Sequence, residues 1–590
     1  MSNSLSQSSA ALIMHIRKKR RVQFLSIIFL SFFGSIIEML SLGSVIPFIG
    51  IIVTPEKIFN LEWITPLINF FEFKKPADLI LPITIIFACL ALFAGFFRLL
   101  ILYLNLRITF ATGAEISQDV FQKTLHQPYS VHISRNSSNL ISVIANKVNI
   151  ATNILSAWMI LFSSSILFVS IALTIVFVEP LISMISVTLF GGMYLLISLL
   201  TKKRLDKNGK IVTFAQSKII KALQEGLGSI RDVLLDSSQK FYENMYSKSI
   251  SDLNKAYSSN GFILQAPRFI LESFAMVLVA FFVIFITVQS KQDITDSFAI
   301  LALFALAAQR LLPLMQLIFS SWSTIRSGLP ALNDVIELLD QKIPTNLKKI
   351  DATKNLNFES NIKLENACFS FNSKKPWVID DLSIEIAKGS KVGIIGETGS
   401  GKSTLVDLLM GLLLPTQGHL KVDANLIDET NIKYWQKNVS HVPQSIYLAD
   451  TTIKENIAFG IPYQCIDEDR MMQAAKQAQI HEFICSKPNE YNSKVGENGV
   501  QLSGGQRQRI GIARALYKRS QVVVFDEATS ALDSATEKEI MNTIWSLSKD
   551  LTIIIVAHRV STLEKCDYIF EISQGAVKNF GTYEQLINST

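Results

Sequence analysis

The sequence predicts two unlike domains in tandem: an all-α transmembrane domain of six helices, then an α/β domain built on a phosphate-binding loop. Three observations predict this. Long apolar runs fill residues 22–320. From residue 361 the pattern changes to short β-branched runs, turns and amphipathic helices. Within that second part, the buried-strand pattern Lys391–Ile395 leads directly into a glycine-rich loop and an apolar helix. The expected organisation is a cytoplasmic segment 1–21, a membrane domain 22–322, a linker 323–360 and a nucleotide-binding domain 361–590.

The bulk numbers agree with a split chain. At 590 residues there is room for two or three domains. Hydrophobic residues make up 49% and charged residues only 18%, against about 25% charged in soluble proteins. Mean hydropathy is +0.32. The net charge of +7 is not gathered into a nucleic-acid-binding stripe. Much of it flanks apolar runs, as Arg17–Arg21 and Lys202–Arg204, the positive-inside signature of a membrane protein. Contact with anionic lipid is a further reading of these clusters. The five cysteines form no CxxC pair, so neither a zinc site nor a disulfide framework is expected. The first apolar segment is too long for a cleaved signal peptide and reads as the first span.

Six segments are long and apolar enough to cross the hydrocarbon core: 22–53, 79–106, 152–178, 181–200, 269–288 and 298–319. Glu179–Pro180 makes a tight hairpin between the third and fourth, and a short loop around Lys291–Asp296 joins the fifth and sixth. The connections 107–151 and 201–268 are long, polar and poor in glycine, and read as helices continuing into the cytoplasm. The turn near His126–Asn139 and the stretch Gln224–Asp232 are candidate contacts with the second domain. The loop 54–78 carries Leu61, Trp63, Ile64, Leu67, Ile68, Phe70 and Phe71, spaced as a short apolar-faced helix. It suits the outer membrane interface or packing against the spans.

Charges inside spans are costly and mark function by default. They are Glu38, Arg98, Arg268, Glu272 and Arg310. Arg268 and Glu272 lie four apart on one helix face, so they either pair with each other or belong to a polar cavity. In the cavity reading Arg98, Arg268 and Arg310 hold an anionic group such as a phosphate, whose oxygens match the guanidinium fork.

In the second domain Gly396, Glu397, Thr398, Gly399, Ser400, Gly401, Lys402, Ser403 and Thr404 match GxxxxGKS/T in its strand–loop–helix context. Backbone N–H groups close on the phosphates and the helix dipole adds attraction. Lys402 serves the β and γ phosphates and the Ser403 hydroxyl serves Mg2+. The strand Val522–Phe525 ends in Asp526, assigned to Mg2+, and Glu527, assigned as general base.

Between these lies Leu502, Ser503, Gly504, Gly505 and Gln506, opening a helix. This resembles the LSGGQ signature of ATP-binding cassette (ABC) proteins. The resemblance implies that ATP is clamped between the phosphate loop of one copy and the signature of another. It also assigns Phe371 to adenine stacking where the family usually has Tyr, Gln444 to Mg2+ and to sensing the membrane half, and His558 to the γ-phosphate. Ser530–Asp533 matches the D-loop, with Asp533 in the site, and Glu497 the exporter coupling loop, with Asn498 where Arg is common. Six spans ahead of the ATPase are similar to an ABC exporter half-transporter. The segment around Glu38, Ala266-Pro267-Arg268 with Glu272, and Arg310-Leu311-Leu312-Pro313 resemble bacterial lipid-linked oligosaccharide flippases.

The function expected is ATP-driven flipping or export by alternating access, in a homodimer, with ATP and Mg2+ as cofactors. The cargo expected is a lipid-linked glycan or similar anionic amphiphile. The place expected is the bacterial inner membrane, with no nucleic acid partner. A general lipid or multidrug exporter is the alternative. A soluble ATPase of translation or repair is disfavoured by the six spans, and a catalytically dead regulator by the intact Glu527 and His558.

Overall fold

A computed structural model describes residues 5–53, 56, 59, 75–178, 180–289, 294–343, 356–372, 376–528, 534–548 and 550–588. The chain divides into two units, Met1–Leu125 with Arg135–Lys342, and His126–Ser134 with Ile343–Thr590.

The first unit is helical. Leu5–His15 precedes Lys18–Gly43, which breaks at Ser44 and resumes as Val45–Val53. Then come Ile80–Leu125, Val148–Val178, Pro180–Gly228, Gln239–Gln289 and Ile294–Leu339. The segments marked as spans fall on these helices, the first across the break at Ser44. Ile80–Leu125 has 46 residues, Pro180–Gly228 49, Gln239–Gln289 51 and Ile294–Leu339 46. At 1.5 Å per residue such helices reach about 70–77 Å. That is over twice the ~30 Å hydrocarbon core, so they run on past the bilayer as the polar connections imply. Among the described residues three helices, Lys18–Ile52, Pro76–Leu125 and Ser137–Phe177, pass a strict test of length and apolarity for crossing a membrane. Leu81, Leu92, Phe96 and Leu99 are each more than half exposed, an apolar face suited to lipid. The apolar-faced helix expected from Leu61 to Phe71 lies outside the described residues; a 3-10 turn, Pro76–Leu79, leads into Ile80–Leu125.

Polar pairing organises the parts beyond the membrane. Glu115 and Asp119, on the extension of Ile80–Leu125, accept Arg20 at 2.8 Å and Arg17 at 3.3 Å. Two of the basic residues near the N-terminus are thus neutralised within the protein. Lys147, almost fully buried on a π-helical turn Val143–Lys147, donates to Asp334 at 2.6 Å and Ser217 at 3.2 Å. An ammonium that deep needs such partners. Packing is close enough that a Cβ on Gly209 would meet the Ser327 carbonyl oxygen at 2.2 Å. Leu12, Val120, Ile154, Ile325 and Val335 form the apolar core of this region.

The second unit is α/β. A four-stranded antiparallel sheet runs in the order Ile379–Ala387, Asn361–Phe369, Gln417–Val422, Asn425–Leu426. A six-stranded sheet runs Ala576–Gly581, Tyr568–Ser573, Lys391–Gly396, Thr552–Val556, Val522–Asp526, Val439–Val442. Its last five strands are mutually parallel, and three of them, Lys391–Gly396, Thr552–Val556 and Val522–Asp526, read as apolar runs because both faces are covered. A helical layer, Ile453–Ile457, Glu468–Gln477, His481–Cys485 and Gly504–Tyr517, packs over one apolar cluster centred on Ile510, Phe525 and Ile553. The turn expected to serve the ATPase belongs to this unit over His126–Ser134, whereas 224–232 stays in the first.

Candidate nucleotide site

In open parallel sheets, ligands bind beyond the carboxyl ends of the strands. Here four adjacent parallel strands deliver four motifs to that edge. Lys391–Gly396 feeds the phosphate loop, Thr552–Val556 feeds Ala557-His558, Val522–Asp526 ends in Asp526-Glu527, and Val439–Val442 feeds Pro443-Gln444. In register, Ile394, Val556 and Asp526 lie side by side. Residues scattered over more than 160 positions of sequence are thus gathered by strand pairing.

The phosphate loop needs its glycines. Gly399 has φ +83° and Gly401 φ +102°, where L residues are strained. A Cβ on Gly401 would also meet the Val378 carbonyl oxygen at 2.9 Å. Lys402 starts the helix Lys402–Leu409 and its Nζ donates to the carbonyl oxygens of Gly396 and Glu397, each at 2.8 Å. The ammonium is thereby held over the loop mouth. Ser400 Oγ is buried with no hydrogen-bond partner among the described residues, a donor left for a phosphate oxygen.

Asp526 is half-buried, and burial, then the charge of Glu527, push its carboxyl up; Lys402 and His558 oppose this. Glu527 has φ +50°, a strained backbone for a residue with a Cβ, and its N–H donates to Val556 O at 3.1 Å. Its Oε1 lies 2.5 Å from His558 Nε2. The base and the histidine assigned from sequence therefore touch.

The signature residues begin the 14-residue helix Gly504–Tyr517 with a capping box. Ser503 Oγ accepts from Gln506 N–H at 3.3 Å, and Gln506 Oε1 accepts from Ser503 N–H at 2.9 Å. The Ser503 hydroxyl hydrogen is not used in this cap. Ser503 and Gly504 are exposed while Leu502 anchors the turn in the core. The helix start thus faces outward, free for an anion. Phe371 is 49% exposed, edge-on to Phe369 with centroids 4.9 Å apart, so one ring face is open. Asn498 has φ +52° and ψ 22°, a left-handed conformation that Asn tolerates better than Arg. Ser530–Asp533 lies outside the described residues.

Two features escaped the sequence reading. The first is Asp407, on the phosphate-loop helix. Burial and the nearby Asp526 push its carboxyl up to about 6. Asp407 also helps raise the Tyr129 phenol, which places the excursion His126–Ser134 beside this helix. A carboxyl raised on folding stabilises the protein at low pH and loses that stabilisation as pH climbs past the folded value. Asp407→Asn should therefore raise Tm most at pH 7.5, less at pH 5, and not below the ordinary carboxyl value of 3.8, measured by calorimetry without Mg2+. The second is the pairing of Glu38, which both Arg98 and Arg310 contact. Arg268 Nε donates to Glu272 at 2.6 Å, the first of the two readings the sequence offered for that pair. The arginines read as an anion site are placed, but each already has a carboxylate partner.

The donor set fits Mg2+: a carboxylate at Asp526, a hydroxyl at Ser403 and an amide at Gln444 are hard oxygen ligands. Among the described residues no group of three or more His, Cys, Asp or Glu forms a closed metal cage. The five cysteines are free thiols.

A family model for the ABC transporter transmembrane region matches residues 22–311, and one for the ABC transporter matches 379–530. The ATP-dependent lipid A-core flippase of Saccharophagus degradans is 29% identical over 491 residues, covering 80% of this chain and 79% of that protein. The lactococcin-G-processing and transport ATP-binding protein of Lactococcus lactis is 29% identical over 507 residues, covering 84% and 70%. The solved structure of a bacterial Atm1-family ABC exporter with ATP bound superposes with TM-score 0.75, at 22% identity, over 97% of this chain and 96% of that one, and shares the fold. With both halves matched and the phosphate loop, acidic strand end and signature helix in place, the chain belongs to the ABC transporters, as an exporter-type half-transporter whose membrane domain is coupled to its own ATPase.

Proposed function

We propose that two copies of this chain form a homodimeric flippase for an amphiphile with an anionic head, such as a lipid-linked glycan, in a bacterial inner membrane. In the cycle, ATP lies between the phosphate loop of one copy and the signature of the other. Phe371 stacks on adenine, Lys402 and Ser400 hold phosphate oxygens, and Ser503 with the Gly504 and Gly505 N–H groups takes the γ-phosphate from the far side. Ser403, Asp526 and Gln444 would hold Mg2+, which neutralises charge developing on the phosphates. Asp533 completes the contact between copies. Glu527 takes the proton of the attacking water and His558 steadies Glu527 and the γ-phosphate. Hydrolysis removes the bridge, and the long helices pass the motion to the spans.

The observation that carries the cargo reading is the charge balance of the spans. Glu38, Arg98, Arg268, Glu272 and Arg310 leave one uncompensated positive charge where charges are rare. Bacterial relatives named lipid A-core flippases support both the cargo class and the membrane. The test is ATPase stimulation and flipping in proteoliposomes. A lipid-linked glycan with a pyrophosphate head should stimulate, and its uncharged analogue should not. Replacing Arg98, Arg268 or Arg310 by Ala should cut transport by about tenfold or more, the worth of one charge-assisted phosphate contact. Equal stimulation by chemically diverse neutral compounds would favour a general exporter instead.

A further inference from the structure

Glu38 is the most deeply buried charge in the spans, 1% exposed, and it is shared by two guanidinium groups on two other helices. Arg310 of Ile294–Leu339 contacts Oε1 through Nη1. Arg98 of Ile80–Leu125 reaches Oε2 through Nε at 3.5 Å. The three side chains come from similar depths. Glu38 lies 15 residues before Val53, Arg98 18 after Ile80 and Arg310 16 after Ile294, about 22–27 Å by helical rise from those ends, the first counted across the break at Ser44. Arg268 and Glu272 form a separate neutral pair. The excess positive charge of the spans therefore belongs to the Glu38 cluster.

The two arginines are held unequally. Arg310 is close to the carboxylate and its side chain is only 28% exposed. Arg98 approaches with its inner nitrogen, at the long limit of an ion pair, and its side chain is 52% exposed. Its outer fork, Nη1 and Nη2, has no partner among the described residues. That fork is the part of a guanidinium that receives two oxygens of a phosphate.

We propose that Glu38 is a resident counter-ion of the cargo's anionic head, setting how tightly that head is held. Without cargo it balances Arg310 and part of Arg98. When a phosphate takes the open fork of Arg98, Glu38 stays next to it as a like charge and weakens the hold. A transporter needs that weakness, because a site that binds too well does not release. Glu38 is thus a specificity and release residue. The proposal rests on the anionic-cargo reading above.

The test measures binding of geranylgeranyl pyrophosphate and of geranylgeraniol, which share a tail and differ in charge, to the full-length protein in lipid nanodiscs. Glu38→Gln should bind the pyrophosphate at least tenfold more tightly than wild type and release it correspondingly more slowly, with affinity for the alcohol unchanged. The pyrophosphate should also raise the variant's Tm more than the wild type's. Should Glu38→Gln fold poorly, the double variant Glu38→Gln with Arg310→Gln removes the close pair together and leaves Arg98, and it should bind the pyrophosphate at least tenfold more tightly than Arg310→Gln alone, which carries the same arginines and keeps Glu38. If Glu38 only braces the helices, both probes bind equally well or worse in the variants, and the proposal falls while wild-type preference for the pyrophosphate stands. If wild type itself does not prefer the pyrophosphate, the anionic-cargo reading fails, and this proposal with it.

Discussion

Replacing Glu527 by Gln should lower ATP turnover by at least about 100-fold while leaving ATP binding intact, because a positioned general base contributes 10²–10⁴ in rate. The substitution keeps the side chain's shape and removes only its charge and basicity. The carboxylate is well placed for the role. It is 16% exposed, adjacent to Asp526 at the carboxyl end of a parallel strand, and 2.5 Å from His558 Nε2. With the carboxylate accepting there, that ring nitrogen carries the proton, so the imidazole fixes the orientation of Glu527. The left-handed backbone at φ +50° is a second sign that the position is held for function. Such strain costs about 1–3 kcal/mol and persists only where the surroundings enforce it. The variant should also relieve the like-charge pressure on Asp526, whose carboxyl burial and Glu527 push up. Phosphate release and retained nucleotide, measured on the same preparation, check the prediction. Turnover within about threefold of wild type would remove Glu527 from the role of base.

What was legible in the sequence follows the range of the interactions. The phosphate loop is written in adjacent residues because its backbone conformation demands glycine at 399 and 401, and the lysine and hydroxyl must follow at fixed spacing. The signature is legible for the same reason, since Ser503 and Gln506 close a local capping box. The Arg268–Glu272 pair could be read as one of two possibilities because helix geometry puts i and i+4 on one face. Asn498 stood out as a departure from a family pattern, and only its backbone angles give a physical reason for it. Burial and long-range pairing were not legible. That Asp407 sits close enough to Asp526 to be pushed up depends on how a helix packs on a sheet. That Lys147 finds Asp334, or that Glu38 finds both Arg98 and Arg310, depends on which helices of the bundle are neighbours. Apolar periodicity gives the buried face of a helix, not the identity of its neighbour.

Mixing two inactive variants should restore activity, and this separates a shared site from two self-contained ones. If each site uses Lys402 of one copy and Ser503 of the other, Lys402→Ala and Ser503→Glu homodimers both lack any intact site. Each should lose about 100-fold or more in turnover, since one removes the phosphate's cation and the other sets a like charge against it. The structure gives these residues suitable positions. Lys402 is held over the loop by two carbonyl oxygens, and Ser503 is exposed at an outward-facing helix start with its hydroxyl hydrogen unused by the cap. In a dimer of one Lys402→Ala copy and one Ser503→Glu copy, both lesions fall in the same site and the other site is whole. Random assembly of the two yields half mixed dimers, so roughly a quarter of wild-type turnover should return if the sites act independently. Placing both substitutions in one copy, with a wild-type partner, damages both sites and should restore nothing beyond the wild-type homodimers present. Tandem purification of mixed dimers followed by phosphate-release assay reads the difference. Sites contained within one chain would reverse the pattern: the doubly substituted copy would leave its wild-type partner's site working, and the mixture of single variants would stay inactive.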